Sequence, residues 1–149
     1  MAQARVGLVG AGFIAATHLE AIRLTDNLSV AAVIDPNLKA ADRLAHKAPG
    51  AGAFASLADA IAAKAIDRVH VLVPPQHHKS VAAEALNAGL PTLVEKPLAV
   101  SAVEAAELSQ LARERKVTLG VNQNFMFDPD LTRFANELAA GKHGRLRHV

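Results

Sequence analysis

Five short runs rich in Val, Leu and Ile constrain this chain more than any other feature. They cover residues 5–9, 29–34, 68–73, 91–94 and 117–121, with a weaker run at 51–54. Polar residues hardly alternate within them. A strand with one wet face alternates apolar and polar side chains, whereas a strand buried on both faces reads as a near-continuous apolar run. Between the runs lie stretches with helical spacing at 13–24, 37–47, 57–64, 76–88 and 102–115. The first carries Ile14, Leu19, Ile22 and Leu24 on one stripe. Strand then helix, repeated, predicts an α/β domain doubly wound about a parallel sheet. Right-handed crossovers then place helices on both faces of that sheet.

Local punctuation agrees with this division. Ser56 and Ser101 each precede a helical stretch, with Asp59 and Glu104 three residues on, a loose capping box in both cases. Gly89 suits a left-handed helix end. Asp128 or Asp130 opens a last helix that stops near Gly141. Residues 1–141 read as one domain.

Composition excludes several classes. With 149 residues, 51% hydrophobic and 20% charged, the chain has the size and apolar content of one domain with its own core. Cysteine is absent, which removes disulfides, thiolate metal sites and a cysteine nucleophile. No apolar run approaches the roughly 18 residues of a membrane span. The opening Met1-Ala2-Gln3-Ala4-Arg5 lacks the shape of a signal peptide, so a soluble cytoplasmic protein is the expectation. The net charge of +2 is local, because Lys142, Arg145 and Arg147 sit in the last eight residues. Residues 1–141 hold 13 cations against 14 anions. Aromatic residues are 3%, all Phe, so no stacking surface accompanies the basic tail and no nucleic-acid partner is expected.

The chemistry begins where the first run ends. Gly10-Ala11-Gly12-Phe13-Ile14-Ala15 reads G-x-G-x-x-A between a strand and a helix. Gly10 permits a tight turn, Gly12 lets the backbone approach a pyrophosphate, and Ala15 allows close packing of helix on strand. The helix N-terminus offers free N–H groups and the positive end of its dipole to phosphates. A tight β–α turn without a ligand has the same pattern. Asp35, 25 residues after Gly10, ends the second run. A carboxylate there accepts from ribose hydroxyls and repels a 2′-phosphate, which favours NAD over NADP. It could equally be a turn residue before Pro36. Lys39 and Arg43 lie close enough in sequence to soften the preference.

Two further segments follow strand ends, where ligands of open α/β sheets bind. Val73-Pro74-Pro75-Gln76-His77-His78 places two prolines as a stiff rim. Neighbouring helix residues project about 100° apart, so His77 and His78 are poor partners for one metal ion. They read as first-turn residues beside a cofactor edge, and no metal site is expected. Glu95-Lys96-Pro97 follows the 91–94 run. Lys96 there points into the crevice, where its ammonium can stabilise charge on a substrate oxygen, and partial burial would suit it to proton transfer. A solvated Glu-Lys pair is the plainer alternative.

Together these residues resemble the Gfo/Idh/MocA oxidoreductase family over essentially the whole chain. Gly10-Ala11-Gly12-Phe13-Ile14 is similar to its dinucleotide turn, Asp35 to its ribose acid, and Pro74 through His78 to its T-P-x-x-x-H segment, with Val73 where threonine is common. The spacing from His78 to Ala88-Gly89 is also kept, and Glu95-Lys96-Pro97 is the most specific match. The resemblance implies a Rossmann-like dinucleotide-binding domain. It implies cofactor contacts from Gly10, Gly12, Phe13, Ile14, Asp35, Pro74, His78, Glu95, Lys96 and Pro97, with Lys96 catalytic. Gly120-Val121-Asn122-Gln123-Asn124-Phe125 resembles a later segment that often carries an arginine near the nicotinamide. Asn124 stands there as a cofactor contact or a plain strand-end residue.

The family continues into a second α/β domain that supplies most of the substrate pocket, an Asp/His pair for proton transfer and the oligomer interface, and the resemblance implies that residues 142–149 are the start of that domain, with Gly144-Arg145-Leu146-Arg147-His148-Val149 as its first strand, cut short. The resemblance therefore implies the cofactor half of an NAD-dependent oxidoreductase acting on a sugar, cyclitol or similar polyol, homo-oligomeric as the whole protein and inactive as this piece. A non-catalytic NAD sensor and an NAD-dependent glycosidase of the same family are the alternatives. A methyltransferase shares the glycine turn and the acid but gives no reason for Glu95-Lys96-Pro97.

Overall fold

The computed structural model describes residues 3–145 and Arg147. All five strong apolar runs form strands, and the weak one is a sixth. In chain order they are β1 (Ala4–Val9), β2 (Leu28–Ile34), β3 (Gly52–Phe54), β4 (Arg68–Val71), β5 (Thr92–Glu95) and β6 (Leu119–Asn122). They make one sheet ordered β3-β2-β1-β4-β5-β6, with every pairing parallel. The chain steps outward from β1 to β3, then returns to lay β4 beside β1. This reversal opens a crevice beyond the carboxyl ends of the two central strands.

The helices α1 (Phe13–Arg23) and α2 (Leu38–Ala45) form one layer, and α3 (Leu57–Ala62), α4 (His78–Asn87) and α5 (Ala102–Arg115) form the other. Leu8 and Val33 pack with Ala15, Leu19 and Ala41 in the first layer. Val69, Val71 and Val94 pack with Ala85, Leu86 and Leu108 in the second. Strand residues thus feed both cores, as continuous apolar runs require. Leu86 has no exposed surface, so truncating it to Ala costs about 2–5 kcal/mol. The caps are as the sequence reads: Ser56 Oγ accepts from the Asp59 N–H at 3.1 Å and Ser101 Oγ from the Glu104 N–H at 3.2 Å.

The differences are at element ends. The 68–73 run stops pairing as a strand at Val71, because the two prolines redirect the chain into a 3-10 turn at Pro75–His77 before α4 begins. Val117 does not start β6. Its N–H closes α5 on the Ala112 carbonyl, after Lys116 adopts a left-handed φ of 57°. Leu24, read as part of the α1 stripe, is exposed, and the buried stripe is Ala15, His18, Leu19 and Ile22. The last helix, α6 (Pro129–Ala139), is capped by Asp128, whose Oδ1 accepts from the N–H groups of Asp130 and Leu131. Among the described residues, no helix is long and apolar enough to cross a membrane. Of the strand expected to open a second domain, Leu146, His148 and Val149 lie outside the described residues, as do Met1 and Ala2 of the N-terminal segment.

Candidate cofactor site

The crevice is built from the strand ends upward. Gly10 leaves β1 at φ +103°, and a Cβ there would stand 2.8 Å from the Leu72 carbonyl group. Both the backbone angle and the packing therefore demand glycine. Gly12 is different. Its φ of −79° suits any residue, and a Cβ would meet nothing within 4 Å. The space in front of it is the crevice itself. Gly12 is also the N-cap of α1, so no side chain caps this helix, and its first turn carries no acid. The free N–H groups of that turn point a positive dipole end at open space, which is a site for an anion. Behind the turn, Ala15 has no exposed surface and lets α1 lie close on the sheet.

Asp35 stands beside this turn. Its Oδ2 accepts the Ala11 N–H at 2.9 Å, and its Oδ1 accepts the Asn37 N–H at 2.8 Å. The carboxylate thus ties the end of β2 to the glycine turn and also serves the turn after it, which is the turn role the sequence offered. Each oxygen keeps a lone pair, and the residue lines a cleft of about 740 Å³ that extends from Gly10 and Gly12 to Pro74 and His77. The opposite wall carries His77 at the end of the 3-10 turn and Ser80 and Glu84 along α4.

Glu95 is the last residue of β5, not the first of the loop, and its side chain is only 12% exposed. Its Oε1 accepts from His18 Nε2 at 2.9 Å and from Asn122 Nδ2, and its Oε2 accepts from the Lys96 main-chain N–H at 3.2 Å. Burial pushes this carboxyl up, but the bonds from Asn122 and His18 outweigh it and hold the group below the usual carboxylate range. His18 Nδ1 in turn lies 3.0 Å from His70 Nδ1. The His70 ring is pushed down to about 4, by burial first and then by His18 and Arg68. Lys96 itself is exposed, not partly buried as the sequence suggested, and its peptide bond to Pro97 is cis.

The residues fit a dinucleotide on observations of this chain alone: an uncapped helix end, a backbone approach that a Cβ at Gly12 would fill, and an acid at the strand end beside them. The pattern of an oxidoreductase family with an NAD-binding Rossmann fold matches residues 4–123. The chain belongs to the Gfo/Idh/MocA oxidoreductase family. Inositol 2-dehydrogenase of Corynebacterium glutamicum (strain R) is 39% identical over 146 residues, which are 95% of this chain and 43% of that protein. Two solved structures superpose well. GenD2 from gentamicin A biosynthesis, in complex with NAD, has a TM-score of 0.87 at 34% identity, covering 94% of this chain and 40% of that one. A 3-ketoreductase from Actinomadura kijaniata, in complex with NADP, has a TM-score of 0.90 at 29% identity, covering 97% and 46%. The chain thus spans less than half the length of the relatives it matches.

Within this Gfo/Idh/MocA domain, the glycine turn, Asp35 and Pro74 share one crevice. Phe13 is 93% exposed at the head of α1, and Ile14 is half-buried. His78 requires a correction. It is 1% exposed, with Nδ1 2.7 Å from the Pro97 carbonyl oxygen and Nε2 2.8 Å from that of Val73. No ring nitrogen is left for a cofactor, and the ring instead straps the loop after β5 to the loop after β4. Glu95 is likewise turned inward, onto His18 and Asn122. Asn124 lies exposed in a 3-10 turn at Asn124–Phe127, while Asn122, two residues earlier, holds the acid. Sequence reading missed His18, His70 and Asn122. One signal was present for His18: it falls at the i+3 position of the buried Ala15, His18, Leu19, Ile22 stripe. Ser80 and Glu84 follow His77 by three and seven residues, a polar helical stripe that also went unread.

Proposed function

We propose that this chain is the cofactor-binding half of an enzyme that moves a hydride between a nicotinamide nucleotide and a hydroxyl or carbonyl carbon of a sugar, cyclitol or similar polyol. The observation that carries the reading is the uncapped start of α1 behind a Gly12 with open space before it, with the Asp35 carboxylate alongside. In this reading the N–H groups of Phe13 and Ile14 hold the pyrophosphate, and Asp35 accepts from the adenosine ribose. Pro74 and His77 wall the cleft. NAD is preferred to NADP, because a 2′-phosphate would meet the Asp35 charge. When bound, the nicotinamide supplies the hydride acceptor or donor. Lys96, exposed beyond β5 beside Pro97, donates a hydrogen bond to the reacting oxygen and stabilises the charge that develops there. Asn124, exposed beyond β6, is a further polar contact on that side. The polyol class rests on the likeness to the inositol 2-dehydrogenase named above.

The test is thermal unfolding of the chain with and without NAD. A ligand at 100 times its Kd stabilises the folded state by about 2.7 kcal/mol, so millimolar NAD raises Tm by several degrees. An unchanged Tm at millimolar NAD, in a chain shown by circular dichroism to be folded, removes the reading.

A further inference from the structure

The crevice residues are held from behind by a polar cluster that the proposed chemistry does not use. It joins four separate elements: His18 of α1, His70 of β4, Glu95 of β5 and Asn122 of β6. His18 is 7% exposed, on a helix face that is otherwise Ala15, Leu19 and Ile22. A buried polar side chain on an apolar stripe costs free energy unless it is bonded, so its partners define its purpose. A carboxylate only accepts, so His18 donates to Glu95 from Nε2. Its Nδ1 shares a hydrogen bond with the Nδ1 of His70, whose ring meets that of His18 edge-on at 5.1 Å between centroids. The second Glu95 oxygen takes the main-chain N–H of Lys96. Arg68, also on β4, is the further charge that acts on His70.

We propose that His18 is a positioning residue: through the Glu95 carboxylate it fixes the main chain at Lys96, and so sets where the Lys96 ammonium stands at the nicotinamide end of the cofactor. This rests on the cofactor reading above. Without the His18 donor, Glu95 loses one of the two side chains that hold it in its strand-end position, and the Lys96 N–H loses a fixed acceptor. The glycine turn and Asp35 lie on other strand ends and keep their own bonds. His18 shares α1 with the pyrophosphate turn but stands five residues along from Phe13 and makes no bond to the turn, so the adenosine half is expected to lose little.

That separation gives the test. NAD and ADP are titrated calorimetrically into the wild-type chain, His18→Leu and His18→Gln. ADP reports the adenosine diphosphate half alone. His18→Leu is expected to weaken NAD about tenfold, the size of one lost charge-assisted hydrogen bond, and ADP by less than about twofold. His18→Gln, whose amide nitrogen reaches the Nε2 position, is expected to restore NAD to within about threefold of wild type. Equal losses of NAD and ADP mean general loosening and overturn the inference, as does unchanged NAD affinity in His18→Leu. A wild-type chain that binds neither nucleotide overturns the cofactor reading and this inference with it. If His18→Leu does not fold, a long-range ¹H–¹⁵N spectrum of the wild-type histidines decides. The His18 proton is expected on Nε2, and a proton confined to Nδ1 refutes the link to Glu95.

Discussion

Acidification should unfold this chain through His70. The ring is held neutral inside the sheet-to-α1 contact, by burial first and by His18 and Arg68 after it, so that it takes a proton only near pH 4. In the unfolded chain the same ring titrates at its ordinary 6.5. Between those values the unfolded state binds the proton that the folded state refuses, so falling pH favours unfolding. The contribution is fully present above 6.5 and is lost progressively down to about 4. Worked as a linkage integral, it removes about 2 kcal/mol between pH 8 and pH 5, and about 3 kcal/mol once pH is below both values. The comparison is with His70→Asn, whose amide stands near the Nδ1 position and can still hydrogen-bond to His18, but does not titrate in this range. Urea unfolding of both proteins at pH 8 and pH 5 isolates the difference. Wild type should lose about 2 kcal/mol more than His70→Asn across that interval, a relative midpoint shift of roughly 1 M urea. Equal losses in the two proteins refute the reasoning, as does a His70 ring that titrates near 6.5 in the folded chain.

The two glycines of the turn should separate stability from binding. Gly10→Ala places a Cβ against the Leu72 carbonyl at a positive φ and should cost at least about 2 kcal/mol in urea unfolding. Gly12→Ala should leave the midpoint within about 0.5 kcal/mol of wild type and weaken NAD at least about tenfold, because the added methyl enters only the crevice. Asp35→Ala removes the acceptor for the Ala11 and Asn37 N–H groups, so it should destabilise by about 1–3 kcal/mol and weaken NAD more than NADP. Equal loss of both nucleotides in a titration takes Asp35 out of the ribose role.

Much of this architecture is legible in the sequence because its causes are local. β1, β2, β4 and β5 show as apolar runs because the sheet buries both their faces. Gly10 shows because only glycine fits its backbone angle and the carbonyl beside it. Asp35 and Glu95-Lys96-Pro97 show because the topology makes strand ends into sites. The cluster behind Lys96 is not local. His18 and His70 are 52 residues apart, and His18 and Glu95 are 77 apart. Only the parallel crossovers bring them together, and no spacing along the chain encodes that meeting. His78 was misplaced for a related reason. Its position at a crevice rim is readable from the strand before it, but its burial depends on the loop after β5 folding over it. β6 was misjudged at its start because the left-handed turn at Lys116 extends the closure of α5 by one residue.

The central claim is that the dinucleotide lies along the glycine turn. A ¹H–¹⁵N correlation spectrum of the chain, followed through a titration with NAD to millimolar concentration, tests it residue by residue. The largest shifts should fall on the amides of Ala11, Gly12, Phe13, Ile14 and Asn37, with smaller ones at Lys96. A saturable titration that leaves the five turn amides in place, or no response at all from a folded chain, contradicts the account.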